Sequence, residues 1–179
     1  GKTTLLQILA GHLRPDSGHY VVDGQDVSSL APGALSTWRY RSCSIVYANT
    51  ADLIPFLSGY DNIFLGRLNS DDSRERLNAV QKTLSHVTAL DFLRKRVAIM
   101  SEGQKRTVQY LRALVCEPRI LCVDEPFGHI QKAIADLLLR TILDEPRSPY
   151  MVLSSTNAVE LEPYATYSFN LTEGTLVAL

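Results

Sequence analysis

The sequence predicts an α/β fold in which a mostly parallel β-sheet carries helices on both faces. Two observations predict it. Helix-like and strand-like segments alternate through the second half of the chain, and two strand-like segments, "RILCVD" and "YMVLSST", are continuous apolar runs. Short runs that are apolar on both sides suit buried parallel strands. In open sheets of this kind, ligands bind at the carboxyl ends of the strands.

The individual elements follow from apolar spacing and turn residues. The spacing predicts helices over residues 3–13, 73–87, 104–115 and 131–143. Further strands are predicted in "HYVVDGQDV", which turns at Asp23 and Gly24, and in "CSIVY". The segment "YSFNLTEGTLVAL" predicts a hairpin that turns at Glu173 and Gly174. Trp38 is expected on a basic surface loop.

Composition narrows the class of protein. The chain has 179 residues, 45% hydrophobic and 21% charged, which predicts one globular domain over residues 1–179. The net charge of -1 gives no electrostatic reason to expect nucleic acid as a partner. Three cysteines without metal-ligand spacing are typical of reduced core thiols in a cytosolic protein. No apolar run approaches the length of a membrane span, and no secretory leader is seen.

The opening stretch "GKTTLL" is the closing half of G-x-x-x-x-G-K-[ST], the loop that wraps nucleotide phosphates. In such a loop Gly1 lets the backbone come close and Lys2 reaches the β and γ phosphates. Thr3 places its hydroxyl on Mg²⁺, and the N–H groups of the helix start, up to Thr4, face the anion. The alternative is an ordinary helix start with a capping threonine. Since the opening half of the motif is missing, we expect the chain to be a fragment.

A second stretch, "ILCVDEP", places Asp124 and Glu125 at the end of a buried strand. Two adjacent carboxylates there are costly unless a cation or a hydrogen-bond network compensates them. In a nucleotide site Asp124 would hold Mg²⁺ through water, and Glu125 would accept a proton from the water that attacks the γ phosphate. The alternative is a strand that ends in a polar turn.

A third stretch, "MSEGQKRTVQYLRAL", begins with Ser101 and Gln104 at capping-box spacing. As a helix cap this motif needs no further function. A helix start that contains Gly103 and exposed N–H groups can also bind an anion. The sequence leaves both possibilities open.

In this order and at these separations, "GKTTLL", "MSEGQ" and "ILCVDEP" resemble the nucleotide-binding subunit of an ATP-binding cassette (ABC) transporter. The resemblance implies a P-loop NTPase fold of the ABC ATPase type, with a helical signature subdomain at about residues 50–103 and a missing amino-terminal β portion. It implies ATP and Mg²⁺ as cofactors, and ATP hydrolysis by a dimer that drives transport through a membrane permease. It also implies a location at the cytoplasmic face of a membrane.

The resemblance extends to individual positions. Two subunits of the family, identical or different, sandwich two ATP molecules, so Ser101, Gly103 and Gln104 of one chain would face the γ phosphate held by Lys2 and Thr3 of the other. The segment "YANTADLIPFLSGYDNIFLG" is similar to the one that follows the family's Q-loop glutamine and docks against the permease. Its apolar side chains, such as that of Phe56, have local packing as the alternative.

Four positions depart from the family pattern. Asn49 stands at the Q-loop glutamine, whose side chain reaches Mg²⁺ or the attacking water, and Asn157 stands at the switch histidine. Gln131 replaces the D-loop carboxylate, and Glu102 replaces the first signature glycine. Loss of one preorganised group of this kind costs about 10²- to 10³-fold in rate. We therefore expect slow hydrolysis through Glu125.

Two alternatives remain beside the transport ATPase. One is a degenerate cassette that binds nucleotide and regulates or supports a catalytic partner with little hydrolysis. The other is an ABC ATPase without a transport role, of the DNA-repair or translation type. The neutral charge and the short spacing between Q-loop and signature argue against the latter.

Overall fold

The computed structural model describes residues 1–65, 71–144 and 148–179. Residues 66–70 of the predicted subdomain at 50–103 lie outside the described residues. So does residue 66, the last residue of the predicted permease-docking segment. In the ranges just given, no helix combines the length and apolar character that crossing a membrane requires.

The described elements are helices and strands mixed along the chain. In chain order they are α1 (Lys2–Leu9), β1 (Val21–Val22), β2 (Gln25–Asp26), α2 (Pro32–Ser42), β3 (Cys43–Val46), α3 (Gly59–Ile63), α4 (Asp71–Leu84), α5 (Glu102–Val115), β4 (Ile120–Asp124), α6 (Lys132–Leu143), β5 (Tyr150–Ser154), β6 (Phe169–Thr172) and β7 (Thr175–Ala178). Short 3₁₀ turns connect several of them.

The central sheet is parallel, with strand order β3, β4, β5 in the described residues. Ile120 at the start of β4 lies opposite Cys43 and Tyr150, and Asp124 at its end lies opposite Ser154. All five residues of β4 are buried. The parallel sheet predicted from the two apolar runs is confirmed, and the carboxyl ends of β4 and β5 lie side by side.

The two faces of β4 serve two hydrophobic clusters. Leu121 and Val123 pack with the cluster formed by α4, α5 and α6, whereas Ile120 and Cys122 pack with Leu6 of α1. This alternation confirms that helices cover both faces of the sheet. Burial also raises the pKa of the Cys122 thiol to about 12, which keeps it protonated at neutral pH.

Two tight hairpins form where the sequence predicts them. Strands β1 and β2 pair across Asp23 and Gly24, and β6 and β7 pair across Glu173 and Gly174. All four turn residues have positive φ, between 50° and 80°. Two successive left-handed residues match the right-handed twist of the flanking strands.

The placement of Trp38 on a surface loop is wrong. Trp38 lies in helix α2, which the sequence reading missed, and it packs edge-to-face against Tyr20 with 6.2 Å between ring centroids. Leu35 is the only residue of this helix that is fully buried. The helix therefore lacks the apolar stripe from which the other helices were predicted. Pro32 at its first turn was the available signal.

Helix α1 is shorter than predicted because Gly11 ends it in a left-handed conformation, with φ of 70°. A Cβ at this position would lie 3.0 Å from the Trp38 ring and 3.2 Å from Leu35. Glycine therefore permits both the chain reversal and the close approach of α2.

Candidate nucleotide site

The start of α1 meets the end of β4. The Thr3 hydroxyl donates a hydrogen bond of 2.6 Å to Oδ2 of Asp124, across 121 positions of sequence. Oδ1 of the same carboxylate accepts a hydrogen bond from the Ser154 hydroxyl, because β5 ends level with β4. Asp124 is only 4% exposed. Two residues that the sequence assigned to Mg²⁺ are thus in direct contact.

This arrangement fits a magnesium nucleotide. Hydroxyl and carboxylate oxygens are the ligands that Mg²⁺ prefers, and it usually takes one or two carboxylates together with water and phosphate oxygens. Among residues 1–65, 71–144 and 148–179, no group of three or more His, Cys, Asp or Glu side chains could hold a metal ion by itself. Mg²⁺ at Thr3 and Asp124 would complete its coordination with water and phosphate oxygens.

The first turn of α1 has free backbone donors for such a phosphate. Gly1 is the N-cap, and no side chain caps the helix, so neither Thr3 nor Thr4 acts as the capping threonine of the alternative interpretation. Uncapped N–H groups at a helix start attract anions, and Lys2 adds a positive charge there.

Glu125 follows Asp124 and adopts a left-handed backbone, with φ of 48°. Its N–H donates to the carbonyl of Ser154 at 2.8 Å. Its carboxylate accepts hydrogen bonds from the Ser155 hydroxyl at 3.1 Å and from the N–H of Thr156 at 2.9 Å. The last residue of β5 therefore holds the backbone N–H of Glu125, and the turn after β5 holds its carboxylate.

Asn157 lies on the same turn. Its N–H donates to the Ser155 hydroxyl at 3.0 Å, and Ser155 in turn donates to Glu125. The residue is exposed. The predicted switch residue and the predicted base are thus neighbours through one serine.

Asn49 faces a different environment. Its side-chain oxygen accepts the N–H of Ala51 at 3.1 Å, which forms a turn within its own loop. Its backbone carbonyl accepts a hydrogen bond of 2.8 Å from the Gln109 side chain. The described hydrogen bonds of Asn49 thus run to its own loop and to α5, and Thr3 and Asp124 are not among its partners.

The start of α5 confirms the predicted capping box. The Ser101 hydroxyl accepts the N–H of Gln104 at 3.3 Å, and the Gln104 side chain accepts the N–H of Ser101 at 3.1 Å. Glu102 follows, paired with Lys105 at 2.7 Å and hydrogen-bonded by Thr50 at 2.9 Å. Lys105 and then Thr50 hold the pKa of Glu102 below its usual value.

The turn at the start of α5, which contains Ser101 and Gly103, also packs against the loop that follows Glu125. A Cβ on Gly103 would lie 3.1 Å from the carbonyl oxygen of His129, so glycine allows this approach. His129 is itself left-handed, with φ of 59°. Gln131, at the position of the family's D-loop carboxylate, is the exposed N-cap of α6.

Sequence reasoning missed the polar side chains of α5 that support the site. Arg106, Gln109 and Tyr110 are buried, although the sequence analysis assigned a role to none of them. Every residue from 106 to 111 is in fact buried. The spacing of the three polar residues, three and four apart, places them on one helical face and was a usable signal.

A surface patch lies beside the predicted docking segment. Phe56 is 71% exposed and Ile99 is 73% exposed. Hydrogen bonds of 2.9 Å from Val97 to Leu57 and from Ala98 to Pro55 join the two chain segments. The patch, defined as Phe56 and Ile99, is therefore carried by two connected stretches of backbone.

A lysine and a threonine on an uncapped helix start, joined to a buried aspartate at a neighbouring strand end, fit the phosphate loop of the P-loop NTPase class. The family model described as "ABC transporter" matches residues 1–128. The chain belongs to the ABC transporter family.

Relatives and solved structures agree with this assignment. The chain is 35% identical to the macrolide export ATP-binding/permease protein of Syntrophobacter fumaroxidans, over 78% of this chain and 20% of that one. It is also 35% identical to the molybdate/tungstate import ATP-binding protein of Pyrococcus abyssi, over 73% of this chain and 36% of that one. The chain thus spans about a fifth to two fifths of these relatives.

The fold is shared with solved ABC cassettes. The structure of cbiO1 from Clostridium perfringens, part of the transporter complex cbiONQ, matches with a TM-score of 0.77 and 23% identity, over 99% of this chain and 71% of that one. A dimeric bacterial cassette, MJ0796 bound to ADP and Pi, matches with a TM-score of 0.76 and 21% identity, over 89% of this chain and 72% of that one.

Proposed function

We propose that the chain is the ATP-binding cassette of a membrane transporter and that it binds and hydrolyses ATP to drive transport. The observation that carries the proposal is the contact between Thr3 and Asp124, which joins the phosphate loop to the strand-end carboxylate across 121 positions. A capped helix start alone, or a polar turn alone, would not require that contact.

In this proposal the chain's own residues divide the work of the site. Gly1, Lys2, Thr3 and Thr4 hold the phosphates, and Thr3 and Asp124 orient the metal. Mg²⁺, when bound, neutralises charge on the phosphates. Glu125 takes a proton from the attacking water, and Asn157 donates a hydrogen bond toward the γ phosphate. Hydrolysis is slow because Asn157 lacks the charge of a histidine.

The partners follow from the exposed parts of the chain. Ser101, Gly103 and Gln104 face the nucleotide of a second cassette, identical or different, in the ATP-bound dimer. The patch of Phe56 and Ile99 docks on a transmembrane permease, which places the protein at the cytoplasmic face of a membrane. The names of the matched relatives, which include import and export ATP-binding proteins, support this assignment. We also propose that residues 1–179 form one cassette domain, with a helical subdomain at about 50–103.

A second candidate, a regulatory cassette with little hydrolysis, is favoured by one observation. The Asn49 side chain is engaged in its own loop through Ala51. If it stays there when nucleotide binds, the metal loses one oriented neighbour. ATP binding without turnover would then be the outcome.

The experiment that tests the proposal measures ATP binding and hydrolysis by the protein in its full natural length. We expect Lys2→Ala to weaken ATP binding and abolish hydrolysis, since it removes the side chain that reaches the phosphates. The matched control is Lys82→Ala, because Lys82 is an exposed lysine on α4. Equal ATP affinity in wild type, Lys2→Ala and Lys82→Ala would contradict the proposed phosphate site.

A further inference from the structure

A buried arginine supports the backbone on which the two site carboxylates stand. Arg106, in the second turn of α5, is fully buried. One of its terminal nitrogens, Nη2, donates to the carbonyl oxygens of Asp124 at 2.6 Å and of Glu125 at 2.8 Å. The next carbonyl, that of Pro126, accepts the Tyr110 hydroxyl at 2.8 Å. One face of α5 thus holds three consecutive peptide carbonyls.

The guanidinium group of Arg106 makes its hydrogen bonds to neutral groups. In the part of the chain that the structure describes, its hydrogen bonds run to the two carbonyls and to the side-chain oxygen of Gln109, at 3.2 Å. The guanidinium carbon also lies 5.5 Å from the centre of the Tyr110 ring. Burial of a cation is costly, and burial is the main reason why the pKa of Arg106 is lowered, although the charges of nearby Asp124 and Asp52 act in the opposite direction. Its donors are charge-assisted, which makes each bond to a carbonyl stronger than a neutral one.

The supported backbone is strained. Glu125 has φ of 48°, a conformation that costs a non-glycine residue free energy and persists only when its surroundings fix it. The Glu125 N–H is fixed by Ser154, and the Glu125 carbonyl is fixed by Arg106. Without Arg106, the bond from the Glu125 N–H to Ser154 remains, but the carbonyls of Asp124 and Glu125 lose the donor that holds them. The strained backbone is then less restrained, and the carboxylate of Glu125 is positioned less tightly.

The same helix face reaches the loop of Asn49. The Gln109 side chain accepts from Arg106 and donates to the Asn49 carbonyl and to the Asp52 carboxylate. Asp52 is further paired with Arg112. A continuous chain of hydrogen bonds therefore joins the Asn49 loop to the Glu125 peptide through Gln109 and Arg106.

We infer that Arg106 is a positioning residue of the ATPase site: it sets the orientation of Asp124 and Glu125 through their backbone carbonyls, and Gln109 ties that orientation to the Asn49 loop. The inference rests on the proposed function for its consequence in catalysis. Its structural part, the fixed peptide, stands on the geometry alone.

The test compares Arg106→Met with Leu111→Ala. Both change a fully buried side chain of α5, but Leu111 has no polar atom to offer the strand end. We expect Arg106→Met to lower kcat by about 10- to 100-fold, as for other partners that orient a ligand, while KM for ATP changes little. Mn²⁺ affinity in the ADP complex, measured by electron paramagnetic resonance, should fall as well. Leu111→Ala should cost stability without either change.

Hydrogen exchange gives a readout that does not depend on turnover. The N–H groups of Glu125 and Gly128 donate to Ser154 and Glu125, and they should exchange faster in Arg106→Met than in Leu111→Ala at equal thermal stability. If Arg106→Met does not fold, Arg106→Lys and Tyr110→Phe provide the comparison. Arg106→Lys keeps the cation and should retain part of kcat. Tyr110→Phe removes the hydroxyl that bonds Pro126 but leaves both bonds from Arg106 to the carbonyls of Asp124 and Glu125, so it should lower kcat less.

Unchanged kcat, Mn²⁺ affinity and exchange in the folded variants, relative to Leu111→Ala, would overturn the inference. If the variants give that result while the wild type binds and hydrolyses ATP normally, the proposed function still stands. Absence of ATP binding by the wild type contradicts the proposed function instead, and the exchange rates still decide the role of Arg106.

Discussion

The end of β4 and the start of α5 both carry sequence motifs of the nucleotide site, yet they differ in how they are supported. Asp124 is buried, and its carboxylate accepts hydrogen bonds from Thr3 and Ser154. Ser101 is exposed, and its described hydrogen bonds form a cap within its own helix start. One motif is completed by distant parts of the same chain. The other is complete as a cap and leaves a surface open.

This difference indicates how the two motifs would be used. A carboxylate that is fixed on several sides is preorganised for a metal and for the attack of water. An exposed helix start is free to meet a ligand that arrives with another molecule. The contrast fits the proposal that each chain supplies Lys2, Thr3, Asp124 and Glu125 to one ATP and Ser101 to the other.

The largest expected effect is at the supported motif. Glu125→Gln removes the proposed base but keeps a side chain of the same shape: the amide oxygen can still accept the N–H of Thr156, and the amide nitrogen can donate to the Ser155 hydroxyl. We expect hydrolysis to fall by at least about 100-fold, the usual range for general-base removal, with ATP binding retained. Steady-state hydrolysis and ATP binding on the same preparation check this. Undiminished turnover would assign the base elsewhere.

An intermediate effect is expected at Asn157, on the exposed turn that follows β5. Asn157→His introduces a group that donates to phosphate and can carry a positive charge. Because Asn157 is exposed and its backbone already bonds Ser155, the substitution requires no repacking. We expect turnover to rise by up to about tenfold, a fraction of what one preorganised donor contributes. No rise, with ATP bound normally, would favour the regulatory cassette.

The smallest effect is expected at the open motif. Ser101→Ala removes the hydroxyl that accepts the Gln104 N–H, and loss of an N-cap costs about 1 kcal/mol. Chemical denaturation would show this loss. ATP affinity of the single subunit should stay the same, whereas turnover should fall more steeply as protein is diluted. The control is Ser85→Ala, since the hydroxyl of exposed Ser85 bonds only the local carbonyl of Lys82. Equal dilution curves for wild type and Ser101→Ala would contradict a role for Ser101 in the dimer.

Much of the fold could be predicted from local patterns. The strands β4 and β5 are apolar runs, the hairpins turn at Asp-Gly and Glu-Gly, and α5 begins at a capping box. Helix α2 was missed because its packing depends on Trp38 and Leu35 meeting Gly11 and Tyr20, which lie far away in sequence. Pro32 is a local signal for the start of this helix, but without an apolar stripe it is too weak to identify the helix by itself.

The candidate site also has a part that could be predicted from the sequence and a part that could not. The residue types and order of "GKTTLL", "MSEGQ" and "DEP" predict roles for Lys2, Thr3, Asp124 and Glu125, because phosphate and metal chemistry need those groups. The supporting roles of Ser154, Ser155 and Arg106 could not be assigned, since each acts through a contact across the sheet or from a packed helix. Spacing places Arg106 on one helical face with Gln109 and Tyr110, but it does not say what that face contacts.

The sequence by itself determined the family, the alternation of helices and strands, and the side chains able to bind a nucleotide, because these depend on local spacing and on the chemistry of single residues. Only the tertiary structure decided that Thr3 touches Asp124, that Asn49 turns into its own loop, and that a buried arginine fixes the peptide before Glu125. Such contacts form when strands pair and helices pack, and they bring together residues that no local pattern connects.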